Sequence, residues 1–247
     1  MSVLPNVAEL SPEKDAMGLA IEEYHRTGDE SIEVIVNSDF SDPDVIPAAL
    51  LFRMGEELPE LERVALDACQ GEILDIGAGS GSHALMLQQA GKDVTAMDIS
   101  PRSIKVAKER GVQKVLQENI FFYEKKQYDT LLMLMNGIGL VGTLDGLAYF
   151  LEHAKKLLKP GGQLIFDSSD IIYLYQEEDG SYLIDIAGEY YGQLSYWMEY
   201  KDMKGDPFDW LYVAFPVLEE YAEAAGYEAE VLYMGDHHDF LAKLTLK

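Results

Sequence analysis

The stretch that most constrains the fold begins at residue 72, where a short apolar run ends directly in a cluster of glycines. The run is EILDI, residues 72–76, and the cluster is GAGSGS, residues 77–82. A helical pattern follows over 82–90, and a second strand pattern over 93–97 ends at Asp98. Strands that alternate with helices at this spacing are joined by right-handed crossovers and form a parallel sheet.

The alternation continues through the middle of the chain. Strands are predicted at 112–116, 128–135 and 163–167, with helices at 101–110 and 143–158 between them. A helix at 217–225 then precedes two strands, 228–234 and 239–246, whose short connection makes them antiparallel. The sequence therefore predicts an α/β fold with a doubly wound, mostly parallel sheet of seven strands.

Changes in the pattern of predicted helices and strands divide the chain into four predicted segments. Residues 1–70 carry helical patterns at 12–26, 48–54 and 59–69 and a possible strand at 31–36, so we expect an N-terminal helical cap. Residues 71–170 form the core. Residues 171–215 form a β-rich insertion. Residues 216–247 supply a C-terminal helix and an antiparallel strand pair that complete the core.

Composition limits the chemistry and the partners. The 247 residues include one cysteine, Cys69, which excludes an internal disulfide and a thiolate metal cluster. The net charge of −25 repels phosphates, so nucleic acid and anionic membranes are unexpected partners. The N-terminus lacks the pattern of a secretory signal, and no apolar run is long enough to span a membrane. We therefore expect a cytoplasmic protein, and no metal site is predicted.

The glycine turn and Asp98 together predict a nucleoside site. Glycines at a strand-to-helix turn let the backbone approach a ligand closely, and an acid 21 residues past Gly77 can accept hydrogen bonds from ribose hydroxyls. A dinucleotide fingerprint, GxGxxG, requires its third glycine at position 82, which is Ser82 here.

With these marks the sequence resembles the class I S-adenosylmethionine-dependent methyltransferases, over about residues 71–170 and the C-terminal helix and strand pair. The resemblance implies the Rossmann-like fold of that family and S-adenosyl-L-methionine as cofactor. It also implies a cofactor site at the turn, at the ends of the next two strands and at the end of the fourth. The implied residues are Asp75, Gly77, Ala78, Gly79, Gly81, Asp98, Ile99, Asn119, Ile120 and Asn136.

The resemblance gives some of these residues individual roles. Asp98 takes the place of the ribose-binding acid, and Ile99 would pack on adenine. Asn119, in a triplet with Ile120, stands where the family often has an acid that binds the adenine amino group, so the match there is weaker. Asn136 follows the fourth strand, in a loop that lies beside the methyl group in the family.

The acceptor and the catalytic residues are not fixed by these motifs. Methyl transfer depends mainly on alignment, and a base is needed only if the nucleophile starts protonated. We therefore assign no catalytic residue, and none of the five histidines is singled out. Residues 171–247 hold 16 of the 26 aromatic residues and 16 acids, which could bind an ammonium group or could simply be strand residues and a solvated surface.

The predicted function is methyl transfer to a small-molecule acceptor, with an amine slightly favoured. We also expect the insertion and residues 1–50 to form a lid over the methyl group. Two alternatives stay open on the sequence: an NAD-dependent oxidoreductase, and a protein that binds S-adenosylmethionine without transferring its methyl group.

Overall fold

The computed structural model describes residues 9–177, 179–185 and 187–247. Helices and strands alternate through the middle of the chain, as the pattern predicts. The α-helices of the described residues are α1 (Ala16–Thr27), α2 (Glu60–Ala68), α3 (Ser82–Gln89), α4 (Pro101–Glu109), α5 (Leu144–Leu157) and α6 (Phe215–Ala224).

The strands fall into two sheets. In chain order they are β1 (Glu33–Ser38), β2 (Asp44–Pro47), β3 (Glu72–Ile76), β4 (Asp93–Asp98), β5 (Val115–Gln117), β6 (Tyr128–Met133), β7 (Leu158–Ser169), β8 (Gln193–Tyr200), β9 (Met203–Lys204), β10 (Phe208–Leu211), β11 (Tyr227–Met234) and β12 (Asp239–Leu246).

The larger sheet confirms the predicted fold class. Its seven strands lie in the order β11-β12-β7-β6-β3-β4-β5. Strands β3 to β7 are parallel to one another, and β12 runs antiparallel to both β7 and β11. Along the sequence, β3, β4 and β5 are added toward one edge of the sheet. The chain then returns to the middle, and β6 and β7 are added toward the other edge. Ligands of such sheets bind outside the carboxyl ends of the strands at this reversal point.

Helices cover both faces of this sheet and bury its central strands. On one face, α5 and α6 pack through Phe150, Leu151 and Leu218, each fully buried. On the other, α2, α3 and α4 contribute apolar side chains such as Leu61 and Leu87. A strand covered on both faces needs apolar residues at successive positions, which explains the run Leu131–Leu132–Met133 in β6.

The predicted helical cap contains two strands as well as helices, and the first of them lies at the possible strand predicted over 31–36. Residues 33–38 and 44–47 form β1 and β2, which join β8 and β10 of the insertion in a second, antiparallel sheet with the order β10-β8-β1-β2, and β9 pairs with β8. The segment predicted as a helix over 48–54 is a 3₁₀ turn over Ala48–Phe52. The pairing of β1 with β8 spans more than 150 residues of sequence, so no local pattern could predict it. The segment boundaries themselves stay a prediction.

Helix α1 connects the two sheets. Its Glu22 accepts a hydrogen bond from Arg102 of α4 at 2.6 Å. Its Glu23 accepts one from the Tyr200 hydroxyl of β8 at 2.9 Å. The second sheet is thereby held against the carboxyl edge of the first. No helix in the described residues is both long and apolar enough to cross a membrane.

The close packing of Gly81 against α4 gives a test of the fold. A Cβ at Gly81 would lie 2.9 Å from Ala107 Cβ and from Val112 Cγ2, and the residue has φ +82°. We expect Gly81→Ala to lower the free energy of unfolding by about 2–4 kcal/mol, from overpacking added to backbone strain. Urea denaturation measures this change.

Gly91→Ala is the matched control. Its φ is +78°, but nothing lies within 4 Å of the added Cβ, so only the strain applies. Equal losses of stability in the two variants would contradict the packing argument.

Candidate functional site

The site begins at the turn between β3 and α3. Gly77 and Gly79 have φ values of +73° and +53°, a region that side chains with a Cβ disfavour. The backbone N–H of Gly77 donates to the carbonyl of Met97 in β4 at 2.9 Å. The turn therefore crosses toward β4 and leaves a backbone surface without side chains at the reversal point of the sheet.

Asp98, at the end of β4, holds this turn in place. Its Oδ2 accepts a hydrogen bond from the Gly79 N–H and its Oδ1 accepts one from the Ser100 N–H, both at 2.8 Å. Burial raises the pKa of Asp98 to about 6, although these hydrogen bonds favour the ionised form. Each carboxylate oxygen keeps a further lone pair, so Asp98 can also accept hydrogen bonds from a ligand.

A cavity of about 520 Å³ lies over the turn, within the usual size range of small-molecule sites. It extends from the ends of β4 and β5 to the loop that follows β6. Eight of the ten predicted cofactor residues line it: Asp75, Gly77, Ala78, Gly79, Asp98, Ile99, Asn119 and Ile120.

Gly81 and Asn136 are not among the described residues that line this cavity. Gly81 packs against α4 instead. Asn136 adopts φ +55°, its N–H donates to Asp167 at 2.8 Å, and its side-chain oxygen accepts a hydrogen bond from Ser169 at 3.2 Å. Its side chain therefore fixes the corner after β6.

Asn119 lines the cavity but already uses its side-chain oxygen within the chain. The oxygen accepts a hydrogen bond from the Phe121 N–H at 3.0 Å and caps the 3₁₀ turn that follows. A second lone pair is left for a ligand amino group. Ile99, about one-third exposed, stands beside Asp98 on the same wall.

Two buried carboxylate oxygens lack partners in the described part of the chain. They are Oδ2 of Asp75 and Oδ1 of Asp167. Burial raises the pKa of each acid to about 6. A buried acceptor without a donor is costly. Since Asp75 faces the cavity, a ligand that brings an N–H donor, such as an ammonium group, would satisfy its oxygen.

Sequence reasoning missed a buried group of polar side chains at the same end of the cavity. Glu62 of α2 accepts hydrogen bonds from His83 of α3 and from Arg53, each at 2.8 Å, and all three line the cavity. Burial lowers the pKa of His83, but the hydrogen bond to Glu62 and the charge of Asp75 outweigh it and raise the pKa overall. The three residues come from separate segments, so no spacing could reveal them.

A second buried contact joins the site to the N-terminal helix. Asp15 accepts a hydrogen bond from the Ser100 hydroxyl at 2.6 Å and caps α1 through the Gly18 N–H at 2.8 Å. Ser100 in turn caps α4 through the Ser103 N–H at 3.0 Å. The start of α1 is thus fixed two residues from Asp98.

The second sheet closes the cavity from above. Ile46 of β2, Met198 of β8, and Phe208 and Trp210 of β10 all line it. Met135 and Leu140, from the loop after β6, also line it. One end of the cavity is therefore polar and glycine-lined, and the other is apolar and aromatic.

Comparison with known proteins agrees with this geometry. Residues 74–166 match the family model described as a methyltransferase domain. The chain is 46% identical to an S-adenosylmethionine-dependent methyltransferase from Bacteroides fragilis, whose crystal structure contains S-adenosyl-L-homocysteine. The alignment covers 98% of each chain, with a TM-score of 0.91. The CcbJ methyltransferase from Streptomyces caelestis is 16% identical, covers 75% of this chain and 89% of its own, has a TM-score of 0.59, and so supports the fold alone.

The curated relatives match over a shorter span. Demethylmenaquinone methyltransferase from Tropheryma whipplei is 31% identical over 99 residues, which are 38% of this chain and 40% of the relative. The chain thus aligns with about two-fifths of the length of such relatives. The match to the Bacteroides fragilis protein is both long and close, and it agrees with the glycine turn and with Asp98. The chain therefore belongs to the S-adenosylmethionine-dependent methyltransferases.

Proposed function

We propose that this protein transfers the methyl group of S-adenosylmethionine to a small-molecule acceptor, with an amine as the favoured nucleophile. The observation that carries the proposal is the cavity with two unlike ends, a nucleoside-type site at the glycine turn and an apolar, aromatic wall from the second sheet. A volume of about 520 Å³ suits a cofactor and a small acceptor.

The residues of the glycine turn fit the cofactor. Gly77 and Gly79 offer a backbone surface that a Cβ would fill, and Asp98 keeps lone pairs for ribose hydroxyls. Ile99 and Ile120 supply apolar surface for adenine. The buried Oδ2 of Asp75, which lacks a protein donor in the described residues, suits the ammonium of the methionine part. When bound, S-adenosylmethionine supplies an electrophilic methyl group on a cationic sulfur.

The role of the chain in the reaction is then alignment and exclusion of water. The second sheet and α1 cover the cavity, so the acceptor is held where its nucleophile can approach the methyl group in line. The carboxylates of Asp75 and Asp98 line the cavity and also favour a positive charge there. An amine that has lost its proton to water needs no built-in base before it attacks the methyl group.

The names of the curated relatives support a small acceptor and offer a second nucleophile. One is a ubiquinone biosynthesis O-methyltransferase, from Rickettsia conorii. An oxygen acceptor such as a phenol therefore belongs in the same screen. The competing non-catalytic function, cofactor binding without transfer, predicts no turnover with any acceptor.

Methyl transfer is tested directly with S-adenosylmethionine labelled in its methyl group. We expect label to move to members of a panel of small primary and secondary amines, with less transfer to phenols and none to carboxylic acids. Trp210→Ala removes part of the aromatic wall but not the glycine turn, so we expect it to lose transfer while it still binds the cofactor. Tight cofactor binding without transfer to any panel member would favour the non-catalytic function.

Asp98→Ala tests the cofactor site. We expect it to weaken the binding of S-adenosylhomocysteine by roughly 1.5–3 kcal/mol, the range for hydrogen bonds to a charged group. Titration calorimetry measures the change. Asp93→Ala is the matched control, because Asp93 begins the same strand and is an exposed acid paired with Lys114. An unchanged affinity in Asp98→Ala would remove Asp98 from the site.

The raised pKa values of Asp75 and Asp98, each about 6, predict how affinity depends on pH. The cofactor needs both acids ionised, and both become protonated as the pH falls through 6. We expect the affinity for S-adenosylhomocysteine to fall by about tenfold per acid between pH 7.5 and pH 5. Asp98→Asn should show a shallower dependence, and a flat profile in the unchanged protein would contradict this assignment.

A further inference from the structure

The aromatic end of the cavity is built around Trp210. A Cβ at Gly139 would overlap the indole ring, so the five-membered part of the ring lies directly on the backbone of Gly139. Gly139 belongs to the 3₁₀ turn Gly137–Val141, which follows β6. This contact joins β10 to the loop after β6. That loop lies at the end of the cavity away from β4 and β5.

Phe208 extends this wall along the same face of β10. Its ring lies 6.0 Å from that of Trp210, edge to face at 76°, and both rings line the cavity. Alternate residues of a strand share a face, so Phe208 and Trp210 point to one side of the sheet. Met198 lines the cavity from the neighbouring strand β8.

Charge at the cavity is strongly one-sided. Its two basic side chains, Arg53 and His83, are both held by Glu62. The described lining contains no further Lys, Arg or His, whereas its acids are Asp15, Glu62, Asp75, Asp98, Glu118 and Asp209. Asp209 adjoins both aromatic residues in β10. Burial raises the pKa of Asp209, and so do the charges of Glu189 and Asp39.

We propose that Trp210 and Phe208 form the acceptor subsite and that the acceptors are amines. The amine nitrogen is neutral when it attacks the methyl group, and as the C–N bond forms and the C–S bond breaks it gains the positive charge that these rings stabilise through cation–π contact. An indole face attracts cations more strongly than other side-chain rings, and more so away from water. The acids that line the rest of the cavity add a longer-range attraction. The assignment rests on the proposed methyl transfer, because it places the acceptor beside the same cavity.

The chain offers a direct optical test, since it has only two tryptophans. Trp197 lies on β8 next to Met198 and so on the opposite face of the second sheet, where its ring contacts Lys204 and its N–H donates to Glu199 at 3.0 Å. In Trp197→Phe the emission comes from Trp210 alone. This variant, saturated with S-adenosylhomocysteine, is titrated with choline as a quaternary ammonium probe at constant ionic strength.

We expect a saturable change in Trp210 emission with choline. The neutral isostere 3,3-dimethylbutan-1-ol has the same shape without the charge, and we expect it to bind about tenfold more weakly. Trp210→Phe, which keeps Trp197, should give no saturable response. Phe208→Leu should raise the half-saturating choline concentration by about threefold. If Trp197→Phe does not fold, the emission difference between the unchanged protein and Trp210→Phe gives the same readout.

Equal responses to choline and its isostere, or no response of Trp210, would overturn the proposal. Calorimetry with S-adenosylhomocysteine separates this failure from a failure of the proposed function. If the cofactor product binds but choline does not, only the acceptor subsite is wrong. If the cofactor product itself does not bind, the proposed function fails and the subsite fails with it.

Discussion

The pair of hydrogen bonds at Asp98 is the contact on which the rest of the site depends. One carboxylate oxygen fixes the Gly79 N–H of the turn, and the other fixes the Ser100 N–H at the start of α4. The Ser100 hydroxyl donates to Asp15, which caps α1. A single partly buried acid thus orders the glycine turn and the following helix, and through Ser100 and Asp15 it is linked to the start of α1.

The carboxylates near the glycine turn are the reason to expect a cationic ligand there. Asp75, Asp98 and Asp167 all have raised pKa values, because burial penalises their charge without full compensation by protein donors. The cationic cofactor would supply that compensation at the glycine turn. At the proposed subsite of Trp210 and Phe208, the acceptor nitrogen gains its positive charge only as it takes the methyl group.

The sequence predicted the parts of the molecule that are local in the chain. The glycine turn, Asp98 and the alternation of strands and helices follow from short-range spacing, and they led to the correct fold class and cofactor. The second sheet could not be predicted in the same way, because β1 pairs with β8 across the whole core. For the same reason the group of Arg53, Glu62 and His83 was missed. Gly81 and Asn136 match the family motif, but Gly81 packs against α4 and the N–H of Asn136 donates to Asp167, so their place in the cofactor site stays a prediction.

The central claim is that the cavity over the glycine turn is built for S-adenosylmethionine. Parallel calorimetric titrations of the purified protein with S-adenosylmethionine, S-adenosylhomocysteine and NAD test it most directly. The account predicts micromolar binding of the first two ligands and no binding of NAD, since Ser82 replaces the third glycine of a dinucleotide turn. Binding of NAD in place of the other two would contradict the account and point to hydride transfer.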